Sequence, residues 1–510
     1  MTTSKPAAQN AGTYRLRSHA VGVAGIVFFV ISAAAPLAAT LGVAPIVFGT
    51  AGKGAPLAYA VAGVLLLLFS VGYAAMSRHV TSSAGFAAYI EKGFGRVPGF
   101  AAATTAVFSY NAMLIGIYGA FGFFTHAVAD QYLGLDLPWQ VWTFLAIAAV
   151  GMLGYLDINL SARILGTLMI GEVALLLLFD IIVPARGGAH GVSFDGFLPS
   201  NLLGSGAVGI AILFAAVCFV GFEATAIYGE EAKEPRRTIP RATYIAVVLI
   251  GVFYCLTMWA IGNAYGSNGV QHAAGADPGN FVFNANTKFV GRWATDALSI
   301  LVVTSYFATL VAFHNTIARY MFSLGRGGAL PAFLRVTHRR WQSPHAASLV
   351  GTGVSAVVVA AFAIGGADPF AQMFAWLTAL GTIGIVALQA ATTLAAIVFF
   401  RREQPGGLWT TVVAPVLAAA GLITAIVLAV RNWGLLSGAT SGFASQLPWL
   451  VVAAAAVGVV LAWFKRGRVT TIASGFQDRP PAEADALLSG VVPPIPADGP
   501  APSAARERTV

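Results

Sequence analysis

The chain has 510 residues, 57% of them hydrophobic and only 10% charged, against about 25% charged in a soluble domain. Its apolar residues gather in blocks of roughly 20, the length that crosses a hydrocarbon core, which excludes a soluble globular fold and describes an all-α polytopic membrane protein. The net charge of +9 would suggest nucleic acid in a soluble chain; here an excess of Lys and Arg on one side of a lipid bilayer explains it, and no nucleic-acid partner is expected.

Residues 1–18 are polar and read as an N-terminal tail without a cleavable signal peptide. A twelve-helix domain is expected over 19–464, with spans near 20–48, 55–77, 99–128, 139–156, 162–184, 203–229, 242–264, 294–324, 345–365, 370–400, 408–430 and 447–464. With the N-terminus inside, the outer loops hold only Lys53, Arg186, Lys288, Arg292 and Arg431 of the 29 Lys and Arg. The bias predicts a cell-membrane protein with both termini in the cytoplasm. Cys218 and Cys255 both fall inside spans and read as small apolar helix residues rather than a disulfide. The loop at about 265–293 holds Phe281, Phe283 and Phe289; it is either a short helix or lid on the membrane face or a plain connector. Residues 465–510, rich in Pro, Ala, Asp and Glu, read as a disordered cytoplasmic tail.

Two spans are interrupted. The first contains Ile31–Ser32–Ala33–Ala34–Ala35–Pro36. Proline donates no backbone hydrogen bond and disfavours helix at the residue before it. The sixth contains Phe219–Val220–Gly221–Phe222–Glu223. There the glycine permits the helix to open, and an acid in the hydrocarbon is a functional candidate because of its cost. Interruptions five spans apart suggest two five-span repeats of opposite orientation, about 19–185 and 201–403, with peripheral helices over 408–464.

Three stretches carry a family resemblance. They are Gly221–Phe222–Glu223 with Gly229–Glu230–Glu231–Ala232–Lys233–Glu234–Pro235–Arg236–Arg237, then Ala312–Phe313–His314–Asn315 through Leu330–Pro331, and Gly72–Tyr73 through Ser77 with Ser83–Ala84–Gly85–Phe86. In combination they resemble the amino acid–polyamine–organocation permease superfamily. The resemblance implies a LeuT-type 5+5 inverted-repeat fold with broken helices 1 and 6, and uptake or exchange of amino acids or amines. Family members often carry Gly-x-Gly at the first break, where this chain has Ser32 to Pro36. A carboxylate-bearing substrate and an amine therefore both stay open.

A zwitterionic substrate needs donors for its carboxylate and acceptors for its ammonium. Amides over residues 34–38, at the positive end of a half-helix, suit the first. Carbonyls near Ile31–Ser32 and Phe219–Val220 suit the second. The substrate-binding candidates are therefore Ile31, Ser32, Ala33, Ala34, Ala35, Phe219, Val220, Gly221 and Phe222, with Tyr110 and Asn111 from span three. Phe219 and Phe222 either close over the substrate or pack. Tyr110 and Asn111 either line the cavity or hydrogen-bond between helices.

Glu172, Glu223 and Thr309 are the coupling candidates. Glu223 fixes the opened helix, exchanges a proton, or caps the half-helix after it. Glu172, midway along span five, takes up a proton, ligates Na⁺ with Thr309, or is a structural acid. Some relatives carry a lysine at what resembles the Glu172 position. His314 reads as a helix–helix hydrogen bond, with a part in coupling as the alternative. No P-loop, dinucleotide motif or Cys/His cluster is present, so no cofactor or metal is expected. The expectation is a secondary transporter of amino acids or related amines, working by alternating access and coupled to protons, and not an enzyme. The alternatives are an exchanger of two amino compounds or a transporter-like solute sensor.

Overall fold

The computed structural model describes residues 22–80, 82, 84–156, 158–230, 232–338, 340–341, 343–402, 407–437 and 442–465. The expected tails, apart from Lys465, lie outside these residues. Every regular element among them is helical, as hydrocarbon demands: with no water to bond, backbone N–H and C=O groups must be satisfied within the segment.

In chain order the helices are α1 (Val23–Ala34), α2 (Pro36–Ala51), α3 (Ala55–Ser77), α4 (Gly85–Phe94), α5 (Arg96–Leu133), α6 (Trp139–Leu156), α7 (Ile158–Ala185), α8 (Pro199–Leu203) and α9 (Val208–Val217). After a 3₁₀ segment, Phe222–Glu230, come α10 (Pro235–Tyr265), α11 (Val270–Ala276), α12 (Phe281–Phe289), α13 (Arg292–Arg326), α14 (His345–Ile364) and α15 (Ala375–Arg402). The last are α16 (Ala414–Arg431), α17 (Trp433–Ser437), α18 (Phe443–Gln446) and α19 (Trp449–Phe464). Among the described residues, nine helical runs are long and apolar enough to cross a membrane. One of them, Pro36–Ser77, is 42 residues long and contains the turn at Gly52–Gly54. Val23–Ser32 and Trp449–Phe464 are shorter apolar helices.

The long α5 packs against α4, α13, α15 and α19. Its contact with α15 and with the segment Pro369–Phe374 that leads into it depends on small residues. A Cβ on Gly116 would meet Thr378 Oγ1 at 2.7 Å, and one on Gly119 would meet Pro369 O at 2.5 Å. From the other side, a Cβ on Gly381 would meet Ser109 O at 2.5 Å, and Gly384 sits directly against the Ser109 side chain. Small residues let backbones approach closely where lipid supplies no hydrophobic drive between helices.

The 265–293 loop folds onto the bundle as α11 and α12. Phe281 and Phe289 are buried, and Phe281 stacks on Tyr265 at 4.8 Å between centroids and lies 5.6 Å from Phe48. His314 Nε2 and Ser348 Oγ, 2.7 Å apart, join α13 to α14 in the expected helix–helix hydrogen bond. At the end of α19 the Lys465 ammonium donates to Gly328 O (2.6 Å) and Ala329 O (3.0 Å), and the Arg96 guanidinium donates to Lys465 O. One side-chain cluster thereby ties the start of α5 and the ends of α13 and α19 together.

Gly381→Leu should separate α5 from α15, because the Ser109 carbonyl and the Met113 amide of the α5 backbone fill the space together with the Met113 side chain. Overpacking of this kind costs about 1–3 kcal/mol. Thermal denaturation in detergent is expected to show a lowered midpoint for Gly381→Leu and no lowering for Gly353→Ala, where nothing lies within 4 Å of the added Cβ and alanine favours helix over glycine.

Candidate functional site

The first break falls at Pro36, which disfavours helix at Ala35. Helix α1 ends at Ala34, Ala35 takes φ 42 and ψ 77, and α2 begins at Pro36. Ala35 is the one residue other than glycine with positive φ among the described residues. That conformation costs an L-residue about 1–2 kcal/mol. The second break begins at the end of α9. Cys218, Phe219 and Val220 bond back three residues rather than four, Gly221 takes φ 114, and the chain continues as Phe222–Glu230. The breaks lie side by side: α1 packs against Phe222–Glu230, and α2 packs against α9.

Opening a helix strands carbonyls and amides, and here side chains from distant helices meet them. Tyr254 of α10 donates its hydroxyl to Ala34 O at 2.7 Å. Tyr306 of α13 donates to Ala38 O at 3.0 Å, and Tyr73 of α3 donates to Glu223 O at 2.6 Å. All three tyrosines are buried. The sequence reading named none of the three as site residues. The available signal was a tyrosine inside an apolar span, which seeks a hydrogen-bond partner when buried.

Glu223 is buried within the second break. Its Oε2 accepts from the Gly221 amide at 3.1 Å, and its Oε1 accepts from the Tyr110 hydroxyl at 2.7 Å. The carboxylate thus folds back over the glycine before it instead of capping the segment after it. The reason is local: the turn at Gly221 frees that amide and aims it toward residue 223. Tyr110 makes the interhelical bond. Asn111 instead donates to Val107 O of its own helix at 2.7 Å, and its Oδ1 is buried without a hydrogen-bond partner among the described residues.

Glu172 of α7 reaches the first break. Its Oε2 accepts from Ser305 Oγ at 2.6 Å. Ser305 Oγ in turn accepts from the Ala38 amide at 3.2 Å. A carboxylate near a helix N-terminus is favoured by the unpaired amides and the dipole. One amide in the region read as substrate donors, that of Ala38, is therefore occupied by the protein's own side chain. Thr309, expected beside Glu172, bonds Ser305 O in its own helix at 2.8 Å. The serine one turn earlier takes the place assigned to it.

Ser32 Oγ donates to Met169 Sδ at 3.3 Å, one turn before Glu172. Ile31 O accepts from the Ala35 amide at 2.9 Å, which closes α1. Phe219, Val220 and Phe222 are all buried. The Phe222 ring stands edge-on to Phe69 at 5.8 Å. The Phe219 ring lies against Gly63 and Gly251, where an added Cβ would meet it at 3.4 Å. Both rings are packed into the helix interfaces beside the break.

A profile for amino acid permeases matches residues 21–462. Branched-chain amino acid permease BcaP of Bacillus subtilis is 23% identical over 368 residues, 68% of this chain and 73% of that protein. An uncharacterized transporter of Mycobacterium tuberculosis is 26% identical over 329 residues, 62% of this chain and 70% of the relative. Among solved structures, a manganese transporter mutant of Eremococcus coleocola superposes with a TM-score of 0.56 at 12% identity. The match covers 89% of this chain and 97% of that one, a likeness of fold alone.

Tyr254→Phe removes the donor to Ala34 O without changing packing volume. An unsatisfied buried carbonyl costs about 1–3 kcal/mol, so the variant should unfold at a lower temperature than the parent. An unchanged midpoint would mean that Ala34 O finds another donor.

Proposed function

The chain belongs to the amino acid permease family, and on that premise we propose that it carries amino acids or related amines across the cell membrane by alternating access, coupled to protons at Glu172. The substrate site in this reading is the pair of breaks, Ile31–Ala35 and Phe219–Phe222, walled by Tyr110 and Asn111. Twelve spans with both termini inside remain the topology proposed. The basic residues favour it, and 42 residues in Pro36–Ser77 are about twice what one crossing needs. Paired breaks in α1–α2 and after α9 support a LeuT-type inverted repeat.

The observation that carries the coupling is the Glu172 contact set. An ionised Glu172 accepts from Ser305, whose Oγ takes the Ala38 amide, and so holds α7, α13 and the start of α2 together. A protonated carboxyl becomes a donor on one oxygen and a weaker acceptor on the other. Proton uptake therefore loosens the start of α2 from its neighbours, and proton release tightens it. That is a charge change acting on an element with two arrangements, the minimum that coupled alternating access requires.

Reconstituted protein should accumulate a labelled amino acid or amine when an inward proton gradient is imposed. Glu172→Gln, close in volume to the protonated acid, should keep exchange of internal for external substrate and lose gradient-driven accumulation by at least about tenfold, the ratio that a gradient of one pH unit sustains for one coupled proton at about 1.4 kcal/mol. Accumulation equal to the parent's would make Glu172 structural. Uptake that ignores the gradient and requires internal substrate would make the protein an exchanger. Topology is checked separately with an impermeant thiol reagent. A cysteine placed at 265–285 should be labelled in intact cells, and one at 330–344 should not.

A further inference from the structure

A second acid lies on the same face of α7 as Glu172. Asp180 is eight residues on, two helical turns or about 12 Å along the axis, and Leu176 occupies the intervening turn of that face. Leu176, Phe179 and Val183 are buried with Asp180, while Leu177 and Ile181 on the opposite side are 40% and 65% exposed. The carboxylate therefore points into the bundle, where only 6% of the residue is exposed. Its Oδ2 accepts from Thr257 Oγ1 of α10 at 2.8 Å. Its Oδ1 is buried with no hydrogen-bond partner among the described residues. A bare oxygen on a buried carboxylate is costly, and a proton on the group removes most of that cost.

The seam between α7 and α10 connects this group to the first break. Tyr254, three residues before Thr257 on α10, bonds Ala34 O and lies within electrostatic reach of Glu172. At the other end of the seam the chain after α7 folds over Asn263. Asn263 O accepts from the Ala189 amide, and Asn263 Oδ1 accepts from the Ser193 amide. Polar groups thus run from the end of α7 to the break, interrupted at Leu176.

Near the α7–α10 seam the titratable groups of the elements packed on α7 are engaged elsewhere; Arg236, Arg237, Arg241 and Tyr244 lie more than three turns before Thr257 on α10, and Arg319, Tyr320 and Arg326 more than three turns past Ser305 on α13. Helices α1 and α2 carry none. On α10, Cys255 turns to Pro56 O and Tyr265 to Phe281 O. On α12, Lys288 lies over the Phe289 ring. On α13, Arg292 is exposed, Asp296 accepts from Tyr132, Tyr306 bonds Ala38 O and His314 pairs with Ser348. Tyr155 of α6 sits beside His338 and His345.

We infer that Asp180 is the outer station of a two-carboxyl relay that delivers the coupling proton along α7 to Glu172. This rests on the proton-coupled reading above. Asp180 takes a proton at Oδ1 from the outer end of the seam while Thr257 holds Oδ2. When the seam opens, the acid gives that proton to water, water passes it to the Glu172 carboxylate, and Asp180 is left ionised for reloading from outside. Leu176 keeps the two carboxyls apart in the conformation described, so the relay is gated rather than a continuous wire.

The test uses the full chain in proteoliposomes with an imposed proton gradient. Asp180→Asn keeps an acceptor for Thr257 at the same volume and cannot carry a proton. It should retain substrate counterflow and lose gradient-driven accumulation at least tenfold. Asp180→Glu keeps a titratable carboxyl and should retain accumulation within about threefold, the scatter expected of a conservative change. If Asp180→Asn accumulates like the parent while Glu172→Gln does not, the relay is overturned and coupling at Glu172 stands. If neither the parent nor any variant responds to the gradient, the proton-coupled reading itself fails. Loss of counterflow in both Asp180 variants would make the residue a structural pin between α7 and α10 and would also overturn the relay.

Discussion

A helix that opens inside hydrocarbon exposes backbone groups to a medium that cannot bond them. Each unsatisfied group there costs several kcal/mol, so a break persists only if the protein itself supplies the missing partners. This constraint organises the centre of the bundle. Tyr254 serves the stranded carbonyl of Ala34 at the end of α1, and Tyr306 and Tyr73 add donors to Ala38 O and Glu223 O beside the breaks. Ser305 and Glu223 serve the freed amides of Ala38 and Gly221. The strained φ of Ala35 is held by the same contacts, as expected of a conformation that the surrounding structure over-determines.

The two acids at the breaks differ in what they join. The Glu223 carboxylate bonds an amide two residues away and one hydroxyl from α5, so its charge acts first on its own turn. Glu172 bonds Ser305, whose hydroxyl also takes the Ala38 amide, and so connects α7, α13 and the start of α2. A change of charge at Glu172 therefore alters how helices hold one another, whereas a change at Glu223 is felt first within one segment. That difference is the physical basis for assigning coupling to Glu172.

Around the breaks stands a tightly packed frame. Glycines on both α5 and α15 bring those helices into backbone contact. Toward one end of the same contact, Phe123 stacks on Phe370 at 5.0 Å, Phe370 on Phe374 at 5.3 Å and Phe124 on Tyr306 at 5.4 Å. Close-packed interiors deform little and shift between discrete arrangements rather than bending continuously. The hydrogen-bonded half-helices, held by a few exchangeable polar contacts, are the softer part.

Composition alone determined that this is a helical membrane protein, and local stereochemistry determined where two of its helices open. Proline disfavours helix at Ala35, and Gly221 takes a φ that glycine tolerates, so both breaks were legible without any knowledge of neighbours. Glu172 and Glu223 were legible too, because an acid well inside an apolar span is conspicuous. Tertiary structure decided the partners. Ala38 and Ser305 are 267 residues apart, Tyr254 and Ala34 220, and Tyr110 and Glu223 113, and no local pattern links such pairs. It also decided that Ser305 rather than Thr309 meets Glu172, since a threonine in a helix readily bonds its own preceding turn and helix rotation selects which hydroxyl faces α7. Asn111 turned onto its own helix for the same kind of reason. Asp180 lies four residues from the end of the expected span 162–184, where sequence alone does not separate a bundle-facing acid from one at the membrane surface; the packing of α7 against α10 places it inside the bundle, opposite Thr257.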